Sequence, residues 1–364
     1  MPLFDLTPKD TPKTLFGRER ELDELVRLVD AGRWVVLLGP RMVGKTSLLK
    51  AANHRFDRPS IYVNLWGARG TLGFVNAFVH GLNSSRSVLT RLRGAIRRIE
   101  GVSLGPGGIS VTAPHRPLRT VWDLLDVIGH EAGRSVIEFD EVQEVAQASG
   151  SILRILGNLF NTHPEVVFVF SGSRFGVIRT LLEPPGSSPL FGRPPATVRL
   201  GPFDRDTSVA FLARGLKEYR RDVAEPRLQE VVDRTLDGIP GWLTLFGNHL
   251  TVERMSLEQA ERATVHEARR VVRTELGHFL AGRDARTYWT ALRVVAGGAS
   301  WTEVREALSA RRGTPVNDNT VRNLLRTLAY ASVVEETEGR YRIADPMVRE
   351  FVQSSNRPPV MKAD

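Results

Sequence analysis

The chain has 364 residues, no cysteine, and a net charge of +9 from 50 basic and 41 acidic residues. The lack of cysteine excludes disulfides, thiolate zinc sites and cysteine nucleophiles together. No apolar run reaches the ~20 residues needed to span a bilayer, and residues 1–14 are too polar for a secretory signal, so a cytoplasmic protein with no membrane partner is expected. The length allows two or three domains. Arginine carries the positive excess, and its planar fork suits phosphate and nucleic acid, although biased codon usage gives the same composition. The histidines are scattered and none forms an H-E-x-x-H pair, so no histidine metal site is expected.

The segment 15–22 leads into an amphipathic helix, with Leu22, Leu25, Val26 and Val29 at helical spacing. Trp34 to Leu38 then reads as a buried strand. It runs into Gly39-Pro40-Arg41-Met42-Val43-Gly44-Lys45-Thr46-Ser47, which fits the phosphate-binding pattern G-x-x-x-x-G-K-[ST]. Such a loop turns its backbone N–H groups inward and sets a helix N-terminus under an anion. Gly39 and Gly44 permit backbone angles that a Cβ would resist. Lys45 can reach the β- and γ-phosphates, and the Thr46 hydroxyl can ligate Mg²⁺.

Residues 60–65 read as a second strand and 71–100 as helix, broken near 81–85. Its second half carries Arg86, Arg91, Arg93, Arg97 and Arg98, usually a solvated face. Residues 102–111 alternate about a Pro-Gly-Gly turn, as an inserted hairpin does. A helix over 118–132 and a strand over 135–139 follow, the strand ending in Asp140-Glu141. Then come a helix at 152–160, a strand at 166–170 running into Ser171-Gly172-Ser173, a helix at 176–182, a loop over 183–195 and a last strand at 197–200. Strand–helix alternation over roughly 190 residues indicates a doubly wound parallel sheet.

After Pro202 the texture becomes helical, with helices at 204–219, 226–236, 241–252 and 257–280, the first capped by Asp204. Three more helices (285–296, 300–310 and 317–331) precede short strands at 333–335 and 341–343, which flank Glu338-Gly339-Arg340. This order reads as three helices and a β-wing. A helix over 346–352 leads to a polar tail.

Asp140 is read as a metal carboxylate and Glu141 as the base that polarises water. Ser171 and Ser173, at the next strand end, stand where ligands bind such sheets. On the third helix of the β-wing unit, Asn317, Asn319, Thr320, Arg322, Asn323 and Arg326 are side chains of the kind that reach bases and phosphates. Leu324, Leu325 and Leu328 would be its buried face. No second strand–helix core follows residue 202, which argues against a helicase.

These stretches resemble the archaeal ATPase family, a branch of the STAND group within the AAA+-like P-loop ATPases. The resemblance covers residues 14 to 355 and is carried by Phe16-Gly17-Arg18-Glu19 with Leu22, Gly39 to Ser47 and Glu138 to Gln143. Gly172-Ser173, Phe191-Gly192-Arg193-Pro194, Gly238-Ile239-Pro240 and Arg342-Ile343-Ala344-Asp345-Pro346 extend it. It implies an α/β fold, with a three-layer P-loop NTPase core at 1–202 bearing a hairpin insertion near 101–116. A helical lid at 203–283, a winged helix at 284–355 and a disordered tail at 356–364 would follow. It also implies that Phe16, Gly17 and Arg18 lie near the adenine, that Pro240 closes over the base or sugar, and that Arg193 neutralises transition-state charge. The chain departs from the family where Asp237-Gly238 replaces a second glycine.

The expected function is a slow Mg²⁺-dependent ATPase, with ATP or ADP as the nucleotide, whose winged helix binds duplex DNA through Asn319, Arg322, Asn323 and Arg326. The alternative is a STAND-type nucleotide switch that engages a protein partner or self-associates and has no DNA role.

Overall fold

Strands that are apolar at every position must be covered on both faces. In the computed structural model, such strands form the centre of one parallel sheet. The structure describes residues 1–359 other than 100, 107, 112–116, 173–185, 187–190, 193, 237 and 332. It divides into two compact units, one of residues 9–38 and 45–200, the other of residues 1–8, 39–44 and those from Gly201 onward.

In the first unit, α1 (Glu19–Asp30), β1 (Val35–Leu38), α2 (Lys45–Ala52), β2 (Ser60–Asn64), α3 (Gly70–Ser84) and α4 (Arg86–Ile96) come first. The hairpin β3 (Val102–Gly105) and β4 (Gly108–Val111) follows, then α5 (Pro117–Ala132), β5 (Ser135–Asp140), α6 (Ser149–Thr162), β6 (Val166–Ser171) and β7 (Ala196–Arg199). The sheet order is β2-β5-β6-β1-β7, all parallel. Every residue of β1, β5 and β6 is buried, as a strand covered on both faces requires. Trp34 precedes β1 rather than opening it, and its ring meets Phe168 edge-on at 4.7 Å. Phe139, Phe168 and Phe170 stack on one another beside it. The expected hairpin forms, and the Asn83 side chain grips it by pairing with both the N–H and the carbonyl of Ile109. The five arginines of α4 and its end are all exposed while Val88, Leu89, Leu92 and Ile96 are buried. The helix expected at 176–182 lies outside the described residues.

The second unit contains α7 (Arg205–Glu218), α8 (Glu225–Val231) running into a π segment at 232–236, α9 (Pro240–Thr251) and α10 (Leu257–Leu280). It continues with α11 (Ala285–Val295), β8 (Ala299–Ser300), α12 (Trp301–Arg312), α13 (Asp318–Tyr330), β9 (Val334–Thr337), β10 (Arg340–Ile343) and α14 (Pro346–Ser354). β8, β10 and β9 form an antiparallel sheet in that order. Helix starts follow side-chain chemistry. Asp204 caps α7 by accepting the Thr207 N–H at 2.7 Å, and Ser256 and Ser300 close capping boxes with Gln259 and Glu303. Gly238 has φ +81°, and a Cβ there would lie 2.1 Å from the Phe203 carbonyl oxygen, so position 238 requires glycine.

Leu3 and Phe4 belong to this helical unit. The Phe4 ring is fully buried between α7 and α9, where a Cβ on either Gly215 or Gly247 would come within 2.3 Å of it. It stacks on Tyr219 and meets Phe211 edge-on. The Asn248 amide donates to the Phe4 carbonyl at 3.0 Å, and Glu218 accepts the Leu3 N–H at 2.8 Å.

Candidate active site

The carboxyl ends of the adjacent strands β5, β6 and β1 are where a parallel sheet presents polar groups to a ligand. β1 ends at Leu38 and the phosphate loop begins. Gly39, Met42 and Gly44 have φ of 157°, 59° and 99°. Met42 thus adopts the left-handed region, which a non-glycine residue takes up at a cost of ~1–3 kcal/mol. Such turns direct successive N–H groups toward one point. Lys45, Thr46 and Ser47 start α2, where the helix dipole is positive. Lys45 is 7% exposed.

Asp140, last residue of β5, gathers the surrounding groups. Its Oδ2 accepts the Thr46 hydroxyl at 2.7 Å and the Tyr62 hydroxyl at 2.8 Å. Its Oδ1 accepts the Ser171 hydroxyl at 2.6 Å and the Glu141 N–H at 3.1 Å. Four donors share the two oxygens of this carboxylate, so Asp140 is held in one orientation. Tyr62 stays protonated as a donor, because burial and then the Asp140 charge push its phenol far above its ordinary value. Ser171 is fully buried and holds Asp140 through its hydroxyl. Glu141 has φ +57° and accepts from the Gln143 side chain. A carboxylate held in strained backbone at a strand end is a feature of functional sites. Ser173 and Arg193 lie outside the described residues.

Glu138 shares the Asp140 face of β5, is fully buried and receives the Asn53 amide at 3.4 Å. Burial first, and the Asp140 charge second, raise its carboxyl well above the usual 4.5. It is therefore held as a neutral acid. Below pH 4.5 the Glu138 carboxyl is protonated folded or unfolded. Above it the unfolded chain releases the proton while the folded chain holds it, which costs about 1.4 kcal/mol per pH unit up to the folded pKa. Glu138→Gln is therefore expected to raise the melting temperature at pH 8, with the gain shrinking toward pH 4.5. Melting curves across that range check this, and an equal loss at every pH would refute the neutral acid.

Gly17, at φ 64°, precedes α1, and Arg18 is buried in an ion pair with Glu21 at 2.8 Å. Burial outweighs Glu21 and lowers the Arg18 pKa. Phe16 is half-buried. In the helical unit, Pro240 opens α9, and the next residue, Gly241, donates its N–H to the Met42 carbonyl at 2.9 Å. A Cβ on Gly241 would lie 2.5 Å from that of Met42. Arg41 pairs with Glu275 of α10. Beside Gly241, the Trp242 indole N–H reaches the buried Asp345 carboxylate at 3.3 Å. Burial pushes Asp345 up to about 6, against the N–H groups of Met347 and Val348 that it caps. On α13, Asn319, Arg322 and Asn323 are exposed, whereas Arg326 is half-buried and bonds Asn323 at 3.1 Å. Leu324, Leu325 and Leu328 form the buried face. Sequence reasoning missed Tyr62, Glu138, Asn53, Glu275 and Trp242. Tyr62 had one signal, its place on the polar side of the alternating run Ser60 to Asn64.

Comparison with known proteins agrees with this geometry. A family profile described as an ATPase domain predominantly from Archaea matches residues 15–246. The Walker-type ATPase PABY2304 of Pyrococcus abyssi is 29% identical, covers 96% of this chain and 99% of its own, and superposes with a TM-score of 0.76. The ORC2 protein of Aeropyrum pernix, in ADPNP–ADP complexes, is 15% identical over 96% of both chains, with a TM-score of 0.58. Cdc6p from Pyrobaculum aerophilum is 16% identical over 95% of this chain and 96% of its own, with a TM-score of 0.51. The two latter likenesses establish the P-loop NTPase fold alone. A comparison with curated proteins found no match. Among the described residues, no helix is long and apolar enough to cross a membrane.

Proposed function

The chain belongs to the family of ATPase domains found predominantly in Archaea, and from that premise we propose that it binds ATP with Mg²⁺ and hydrolyses it to ADP and phosphate. The observation that carries this reading is the 2.7 Å bond between Thr46, beside the loop lysine, and Asp140 at the end of β5. A hydroxyl and a carboxylate side by side are hard oxygen donors that suit Mg²⁺, so Thr46 and Asp140 would hold the ion. Bound there, Mg²⁺ supplies charge neutralisation at the β- and γ-phosphates. Lys45 supplies a further positive charge to them. Glu141 takes the proton of the attacking water, while Tyr62 and Ser171 keep Asp140 in place. Phosphate release from ATP, stopped by a chelator and restored by Mg²⁺, tests the reading. No release and no nucleotide binding would end it.

The three helices and small sheet from α11 to β10 support a winged helix, with α13 the helix offered to a DNA major groove. Arg322 is exposed and hydrogen-bonds the neutral Asn319 side chain at 3.3 Å, so its charge is available. Neighbouring arginines are already paired, Arg305 with Asp318 and Arg342 with Glu335. Replacing Arg322 and Arg326 together by alanine is expected to reduce the slope of log affinity against log salt by about 0.9 for each phosphate no longer neutralised. If either arginine reads a base instead, its removal shows as ~1–3 kcal/mol less discrimination. Shift assays over a salt series read both. An unchanged slope and affinity removes this face from the interface.

One observation favours the switch reading. Adjacent residues Gly241 and Trp242 link the Met42 carbonyl of the phosphate loop to the Asp345 carboxylate at the start of α14. A change in the loop on nucleotide binding or hydrolysis is thereby passed to α14 through two hydrogen bonds. If the wild type binds no duplex DNA at low salt, this reading replaces the DNA one.

A further inference from the structure

A second group of polar side chains lies at the opposite, amino-terminal end of β6. Asp126 and His130 stand four residues apart on α5 and share one face of that helix. His163 follows α6, and its backbone is fixed between two bonds. Its N–H donates to the Leu159 carbonyl at 2.8 Å, and its carbonyl accepts the Val166 N–H at 3.1 Å. The His163 ring is 4% exposed and fills a space that exists because residue 129 is glycine. A Cβ on Gly129 would lie 2.3 Å from the ring.

The two nitrogens of His163 have different surroundings. Nδ1 is 3.2 Å from Glu165 Oε1, and Nε2 is 3.0 Å from Asp126 Oδ1. The His130 ring stands perpendicular to that of His163, with centroids 4.7 Å apart, and its Nε2 is 3.9 Å from the same Asp126 oxygen. One ligand atom from each of Asp126, His130 and His163 lies within 4.8 Å of the others.

We propose that Asp126, His130 and His163 bind a divalent transition-metal ion of the zinc class. Two imidazoles and one carboxylate select such ions over Mg²⁺ and Ca²⁺. A metal-bound histidine ordinarily gives its other ring N–H to a carboxylate, and Glu165 is that carboxylate for His163 Nδ1. Bonds of ~2.0–2.2 Å draw the three ligand atoms closer than they now stand. The side chain that must move is that of His130, which is 69% exposed and free to turn. Three protein ligands leave a fourth position, which the open side at His130 gives to water. The ion ties α5 to the α6–β6 junction, so its role is to fasten the fold rather than to act on ATP. The absence of an H-E-x-x-H pair had argued against any histidine site. Here the fold assembles the ligands from positions 126, 130 and 163, a spacing with no such signature.

The full chain, stripped of metal and free of nucleotide, is titrated with Zn²⁺ alone by calorimetry, and Co²⁺ is added to a second sample for its ligand-field spectrum. We expect one Zn²⁺ per chain, a four-coordinate Co²⁺ spectrum, and a rise in melting temperature with Zn²⁺. His130→Ala, at an exposed position that should not disturb folding, is expected to weaken binding at least tenfold and to abolish both the spectrum and the rise. Glu165→Gln, which touches no metal, is expected to cost about 10–100-fold in affinity. No stoichiometric uptake by the wild type, or equal uptake by His130→Ala, overturns the proposal. Hydrogen bonding of His163 with Asp126 and Glu165 would then account for the cluster.

Discussion

Glu141→Gln is expected to leave ATP bound at close to wild-type affinity while hydrolysis falls by ~10²-fold or more, the scale of a missing general base. The structure makes this a clean substitution. Glutamine keeps the size and the oxygen that accepts from Gln143, and residue 141 remains a non-glycine at φ +57°, so neither the hydrogen bond nor the backbone strain changes. Asp140 keeps all its donors, since residue 141 contributes to it through its backbone N–H. What disappears is the ability to take a proton. Single-turnover phosphate release, measured beside equilibrium nucleotide binding, separates the two effects. If binding falls as far as hydrolysis, Glu141 holds the metal or the fold and is not the base.

Lys45→Ala is expected to weaken ATP binding about 30- to 5,000-fold, the loss when one partner of a buried charge pair is truncated at ~2–5 kcal/mol. Lys45 is the first residue of α2, and its side chain is nearly enclosed. Alanine suits a first helical turn, so α2 should form and the protein should melt within a few degrees of wild type. Calorimetry with ATP and thermal denaturation of the same sample test both halves. Unchanged affinity would mean that the loop does not hold phosphates.

Both predictions concern residues whose roles were readable from contiguous sequence. The phosphate loop is one short run between a strand and a helix, and Asp140-Glu141 closes an apolar strand. Periodicity also placed the elements of the sheet and most later helices, because each buries its own apolar face. Pairings between distant residues were not readable in this way. Tyr62 reaches Asp140 across 78 residues and Trp242 reaches Asp345 across 103, and no local pattern joins the partners of either pair. Ser171 was recognised as a strand-end hydroxyl, but its direction follows from the β5–β6 register. β8 is two residues long and has no period of its own. Leu3 and Phe4 were hidden because two apolar residues among prolines and charges carry no pattern.

Leu3 and Phe4 also bear on the order in which the chain can fold as it is made. Their partners Glu218 and Asn248 lie 215 and 244 residues further on. At ~5–20 residues per second, a ribosome needs on the order of 10–50 s to deliver them. Residues 9–38 and 45–200, the whole of the sheet-bearing unit, leave the ribosome in that interval. That unit can therefore fold while Phe4 is still waiting in solvent, an exposed aromatic that a nascent-chain chaperone could cover. A segment made ahead of the sheet-bearing unit is then fastened after it.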